Sequence, residues 1–130
     1  MSRAGAPVSV LLVEDEILIS NMVADCLTAS GFTVHEVTTA DEALRYINSG
    51  ANIDILFTDV NLPGKMNGAE LASQVRRMRP EMPIVYASGR YKLSDISPLV
   101  PRSLFMAKPF DPADVCALLS RLTGANASPA

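Results

Sequence analysis

Val8-Ser9-Val10-Leu11-Leu12-Val13 runs directly into Glu14-Asp15-Glu16. The six-residue run is too continuously apolar for a half-exposed strand, so it predicts a strand buried on both faces. Such a strand belongs to a parallel sheet covered by helices on each side. The three acids that end it place charge at its carboxyl end.

The rest of the chain keeps the rhythm this stretch implies. Ile19, Met22, Val23, Cys26 and Leu27 recur at helical spacing until Ser30-Gly31 stops them. Residues 32–37 predict a second strand, less apolar and therefore at an edge. Thr39 and Glu42 have capping-box spacing and open a helix that buries Ala43, Leu44 and Ile47 and ends near Gly50. Residues 53–58 predict the third strand. Asn67, with Glu70 three residues on, opens a helix with Leu71, Val75 and Met78 on its inner face, ended by Pro80 and Pro83.

Residues 84–87 and 104–107 predict strands four and five. Asp111-Pro112 is a cap followed by proline at the first helical position, and Val115, Leu118, Leu119 and Leu122 form the last helical stripe. Between strands four and five, Pro98 and Pro101 leave room for one short helical turn at most. Strict alternation of strand and helix gives the α/β class: a doubly wound, five-stranded parallel sheet with right-handed crossovers. Residues 1–7 and 124–130 are expected to be tails around a single domain over residues 8–123.

Composition narrows the function classes. The chain has 130 residues, 11 basic and 14 acidic, for a net charge of −3. A dedicated nucleic-acid binder carries a basic excess, and 5% aromatics without Trp offer little stacking surface. No apolar run approaches the roughly 20 residues of a membrane span, and the first residues lack the apolar stretch of a secretory signal. No nucleic-acid or membrane partner is expected. Cys26 and Cys116 have no metal-ligand spacing around them and read as small apolar residues of a reducing cytosol. His35, the single histidine, is expected to face solvent on the edge strand.

Four strands end abruptly in polar residues: Glu14-Asp15-Glu16, Asp59, Ser88 and Lys108. In a parallel sheet these carboxyl ends share one edge, where doubly wound folds bind ligands. Three carboxylates that close repel one another unless a cation or a raised pKa relieves them, and a hard divalent ion such as magnesium suits oxygen ligands. Carboxylates, a hard cation, a lysine and a hydroxyl are the parts needed to handle a phosphoryl group, with an aspartate as nucleophile.

Leu12-Val13-Glu14-Asp15-Glu16, Phe57-Thr58-Asp59-Val60-Asn61-Leu62-Pro63-Gly64, Ala87-Ser88-Gly89 and Lys108-Pro109-Phe110 resemble the receiver domain of two-component response regulators. The resemblance covers nearly the whole chain and implies a flavodoxin-like receiver fold with strand order 2-1-3-4-5. It implies that Asp59 accepts a phosphoryl group from a histidine kinase phosphohistidine. Glu14, Asp15, Asp59 and the carbonyl of Asn61 would hold Mg2+ or Mn2+. Lys108 would pair with the phosphoryl group, Ser88 would move to hydrogen-bond it, and Phe105 stands at the switch-aromatic position. Asn61 and Arg90 sit where the family tunes phosphoryl lifetime, and the Lys108-Pro109 bond is expected to be cis. The implied role is signalling and not enzymatic turnover: at most self-phosphorylation from small phosphodonors and slow autodephosphorylation, in the cytoplasm, as a monomer or weak homodimer. Partners would be a histidine kinase or phosphotransfer protein and a downstream protein, by binding or phosphorelay.

Three departures stand out. Phe105 replaces the commoner tyrosine. Lys65-Met66-Asn67-Gly68 is one residue longer than the usual connection, a form also met in receivers fused to sensor kinases. Tyr86-Ala87-Ser88-Gly89-Arg90-Tyr91 is similar to a single-domain subgroup with a shortened fourth helix, the crossover between strands four and five, where Tyr91, Leu93, Ile96 and Leu99 are candidates for a partner surface. The starting Met1 and short polar tail favour a free-standing protein over a receiver cut from a hybrid kinase or larger regulator.

Other readings fare less well. A flavodoxin-type electron carrier needs a phosphate-cradling first loop, which Glu14-Asp15-Glu16 would repel. A haloacid-type aspartyl phosphatase needs a second acid where Asn61 stands. The full polar set argues against a pseudo-receiver that only binds. The blander reading of Glu14, Asp15 and Glu16, as favourable charges at a helix start, remains available from spacing alone.

Overall fold

A computed structural model describes residues 7–89 and 100–124. Its five parallel strands are β1 (Ser9–Val13), β2 (Thr33–Val37), β3 (Ile55–Asp59), β4 (Ile84–Ser88) and β5 (Ser103–Ala107), in the order β2-β1-β3-β4-β5. The expected α/β class and strand order are both found. The first run is as continuous as its burial requires: Val10, Leu11, Leu12 and Val13 are all buried. Because side chains alternate along a strand, Val10 and Leu12 pack on one face of the sheet and Leu11 and Val13 on the other.

The helices are α1 (Ile17–Ala29), α2 (Ala40–Asn48), α3 (Gly68–Met78) and α4 (Pro112–Thr123). α1 and α4 cover the face of Val10, Leu12, Phe57 and Val85, while α2 and α3 cover that of Leu11, Val13, Leu56 and Tyr86. Arg76 ties α3 to the start of β5 through hydrogen bonds to the carbonyls of Pro101 (2.6 Å) and Arg102 (3.3 Å). β2 is an edge strand, and exposed His35 stacks on Tyr46 of α2 with ring centroids 3.7 Å apart.

Local chemistry moved several expected boundaries. β1 begins at Ser9 and β3 at Ile55, and Asp54 just before β3 accepts the Ser9 N–H on its carboxylate at 2.8 Å while its own N–H donates to the Ser9 carbonyl at 2.8 Å. The Asn67–Glu70 capping box is complete. At α2 only half of the box forms. Thr39 accepts the Glu42 N–H at 3.1 Å, but the Glu42 carboxylate takes the N–H and hydroxyl of Thr38.

Two apolar residues of the expected helical stripes, Met22 and Met78, face solvent. α1 buries Ser20, Val23, Ala24 and Leu27, leaving Met22 exposed beside Ile17 and Leu18. Met78, the last residue of α3, is exposed, and Met82 from the following turn is buried in the core. Arg90 and the expected irregular crossover carrying Tyr91, Leu93, Ile96, Pro98 and Leu99 lie outside the described residues.

Candidate functional site

The register of the sheet assembles the polar strand ends. Val13 pairs with Thr58, so Glu14 and Asp59 follow side by side at the carboxyl ends of β1 and β3. Each is fixed by a ladder bond continued past the strand. The Glu14 N–H donates to the Val37 carbonyl at 3.1 Å, and the Val60 N–H to that of Ala87 at 2.9 Å. Ser88 pairs with Ala107, and the Lys108 N–H donates to the Ser88 carbonyl at 3.0 Å, which fixes where the lysine stem starts.

Carboxylate oxygens of Glu14, Asp15 and Asp59 lie within 4.8 Å of one another. Lys108 crosses the width of β4 to reach them. Its ammonium donates to Asp59 Oδ2 at 3.0 Å and sits 2.9 Å from Glu14 Oε1, with exposed Glu16 farther off at 3.9 Å. The side chains of Glu14 and Asp59 are 4% and 5% exposed and that of Lys108 14%, whereas Asp15 lies open at the mouth. The Asn61 N–H donates to Asp59 Oδ1 at 3.0 Å, so both oxygens of that carboxylate are held. Asn61 itself is exposed.

Burial raises the Glu14 carboxyl above its ordinary range, against the opposing pull of the Lys108 hydrogen bond. For Lys108, burial acts downward, but hydrogen bonds to Glu14 and Asp59 outweigh it and the net direction is upward. The lysine therefore stays cationic and neutralises only part of the acidic charge. A buried carboxylate pair beside an exposed third acid, short of positive charge, fits a hard divalent cation with oxygen ligands. α1 has no acid in its first turn, and Glu16 at its N-cap makes no side-chain cap bond.

Ser88 is buried at the end of β4, next to the strand that carries Asp59. Phe105 pairs with Tyr86 and lies partly buried against the α2–α3 face of the core. The Lys108-Pro109 bond is cis, as the resemblance implied.

One residue of the site escaped the sequence reading. Gly68, at the start of α3, donates its N–H to the Val60 carbonyl at 2.8 Å. A Cβ there would lie 2.0 Å from the Asp59 carbonyl oxygen and 2.8 Å from Val60 Cα. Only glycine lets the helix press onto the backbone of Asp59. The signal was a glycine directly after an N-cap, where side chains are usual.

Residues 10–120 match the sequence profile of the response regulator receiver domain. The two-component response regulator ORR11 of Oryza sativa subsp. indica is 32% identical over 122 residues, covering 91% of this chain and 82% of that protein. The sensor kinase CckA of Brucella abortus (strain 2308) is 35% identical over 82 residues, which are 62% of this chain and 9% of the kinase. The crystal structure of a response regulator receiver protein from Sinorhizobium medicae WSM419 superposes with a TM-score of 0.85 at 35% identity, covering 92% of this chain and 97% of that one. Sequence match, sheet order and structural neighbour agree over the same residues, and the chain belongs to the response regulator receiver domain family of two-component signalling systems.

Proposed function

We propose that residues 8–123 work as a cytoplasmic receiver that takes a phosphoryl group onto Asp59. The donor would be the phosphohistidine of a histidine kinase or phosphotransfer protein. The observation that carries this reading is the buried Asp59 carboxylate, held between the Lys108 ammonium and the Asn61 N–H beside two further acids. An Asp59 oxygen attacks phosphorus, the phosphorus–nitrogen bond breaks, and the imidazole leaves with its electron pair. Lys108, already at the carboxylate, moves its charge onto the incoming phosphoryl oxygens. Ser88, one strand over, would move to donate its hydroxyl to them, and Phe105 would follow that movement. Glu14, Asp15, Asp59 and the Asn61 carbonyl would hold Mg2+ or Mn2+, which neutralises charge on the transferred group. Asn61 and Arg90 would tune the lifetime of the acyl phosphate.

The donor protein has a surface to meet. A groove of about 450 Å³ opens at the site, where Glu16 and Lys108 form its polar end and Ile19, Met22 and Phe110 its apolar walls. Ile17 and Leu18, on the same helix, are exposed, Leu18 at 79%. Output would then pass to a bound partner or onward along a phosphorelay. A second setting, a receiver within a larger sensor kinase, is favoured by the 35% identity to CckA.

The test is intact mass after incubation with acetyl phosphate and Mg2+, and separately with a phosphorylated histidine phosphotransfer protein. One phosphoryl adduct is expected on the parent and none on Asp59→Ala. No adduct on the parent from either donor, or an equal adduct on the variant, overturns the proposal.

A further inference from the structure

Cys26 on α1 and Cys116 on α4 are 90 residues apart in sequence, yet their sulfurs lie 2.9 Å from each other. Both are free thiols, half-buried at Cys26 and buried at Cys116. They face each other across the seam where α1 and α4 pack on the same sheet face, among Val23, Leu27, Val115 and Leu119. Small apolar residues filling that seam would need only the roughly 3.5–4.0 Å of ordinary non-bonded contact. A disulfide needs about 2.05 Å, so roughly 0.9 Å of closure separates this pair from a bond.

We propose that Cys26 and Cys116 are a thiol-redox site that forms a reversible intramolecular disulfide when a peroxide is the oxidant. The half-buried Cys26 meets the peroxide first. Its thiolate attacks the oxygen–oxygen bond, giving the Cys26 sulfenic acid and a hydroxide that leaves as water on protonation. The Cys116 sulfur then attacks the sulfenic sulfur, the sulfur–oxygen bond breaks, and the hydroxyl departs as water with the Cys116 proton. Two thiols and one peroxide become one disulfide and two waters. Burial pushes Cys116 up to about 11, so as a free thiol it reacts slowly, and its 2.9 Å contact with Cys26 is what delivers it to the second step. A dithiol reductant reverses the bond by thiol–disulfide exchange.

The bond would clamp α1 to α4 next to the groove. Cys26 is one helical turn beyond Met22, and Cys116 one turn beyond Pro112, and both of those residues line the groove walls. The clamp therefore fixes the spacing of those walls, and it acts without touching Asp59.

The reduced full chain is treated with hydrogen peroxide, and the thiols left are alkylated before intact-mass and non-reducing peptide analysis. Both thiols are expected to become unalkylatable in a monomer, with one Cys26–Cys116 linked peptide that dithiothreitol releases. Cys116→Ala should stop at a sulfenic acid on Cys26 that a dimedone probe captures, and Cys26→Ser should lose the link altogether. The oxidised parent should unfold at higher urea than the reduced one and exchange its α1 amides more slowly. Two alkylatable thiols after peroxide, a link only between chains, or an oxidised monomer less stable than the reduced one overturns the proposal. These readouts are independent of phosphoryl transfer.

Discussion

Lys108→Met isolates the electrostatics of the site, because methionine keeps most of the apolar stem and removes the ammonium. The parent ammonium sits 2.9 Å from Glu14 and 3.0 Å from Asp59, both nearly buried. Removing one partner of a buried ion pair costs about 3–5 kcal/mol, because the remaining charge is left uncompensated. Asp15 opens the site to water, which screens part of that charge, so the expected loss is about 2 kcal/mol. With a urea slope of roughly 1–3 kcal/mol/M, the unfolding midpoint in metal-free buffer falls by about 1 M. Mg2+ should change the ranking. The ammonium and a dication would compete for the same oxygens, and a unit charge and a double charge about 4 Å apart interact by about 8 kcal/mol at an effective dielectric of 20. With about a sixth of that realised, Mg2+ binds the variant about tenfold more tightly.

The pH dependence follows from Glu14, whose carboxyl is raised in the folded chain. An acid raised on folding favours the fold below its unfolded value and loses that advantage as pH rises through the folded one. Removing Lys108 raises it further, so the deficit of the variant is full at neutral pH and shrinks as Glu14 protonates. Urea titrations of parent and variant, with chelator and with Mg2+, at neutral pH and near the ordinary carboxylate value, check all three statements. Equal midpoints in chelator would refute the reasoning, as would a larger Mg2+ stabilisation of the parent than of the variant.

Two further substitutions probe how the site is held. Gly68→Ala drives a Cβ into the backbone of Asp59 and Val60 and should cost about 3 kcal/mol or more in urea unfolding, whereas Gly64→Ala, with open space around it but φ +94, should cost about 1 kcal/mol. Equal losses at the two glycines would show that conformation, and not contact, limits position 68. Glu42→Gln removes a carboxylate that the N–H and hydroxyl of Thr38 hold below its usual range. That stability is present above the unfolded value of 4.5 and lost as pH falls through the folded one, so the variant should melt lower than the parent at neutral pH and converge with it in acid.

The acids, the serine and the lysine were legible because each interrupts an apolar run at its carboxyl end. Parallel topology turns four such interruptions, nearly a hundred residues apart, into neighbours at one edge. What the chain does not write locally was harder to read. Gly68 matters through a contact with the backbone of Asp59, which no side-chain pattern records. The approach of Cys26 to Cys116 depends on how α1 and α4 rotate against each other, and each cysteine alone is an ordinary small residue in a helical stripe.

The exposed apolar residues of α1 have a different cause. Ile17, Leu18, Ile19, Met22, Val23, Cys26 and Leu27 make the helix apolar around much of its circumference, so periodicity cannot choose which side turns inward. The sheet settles it in favour of Ser20, Val23, Ala24 and Leu27, leaving Ile17, Leu18 and Met22 exposed. A rule that places apolar residues inside fails at this surface, and it fails beside the acid cluster and its groove. Apolar side chains left in water at the rim of a charged site cost free energy that a bound protein surface would recover. These exposed residues lie on the helix that follows the acid cluster, where the proposed donor protein would dock, as local rules tend to break where a surface serves binding.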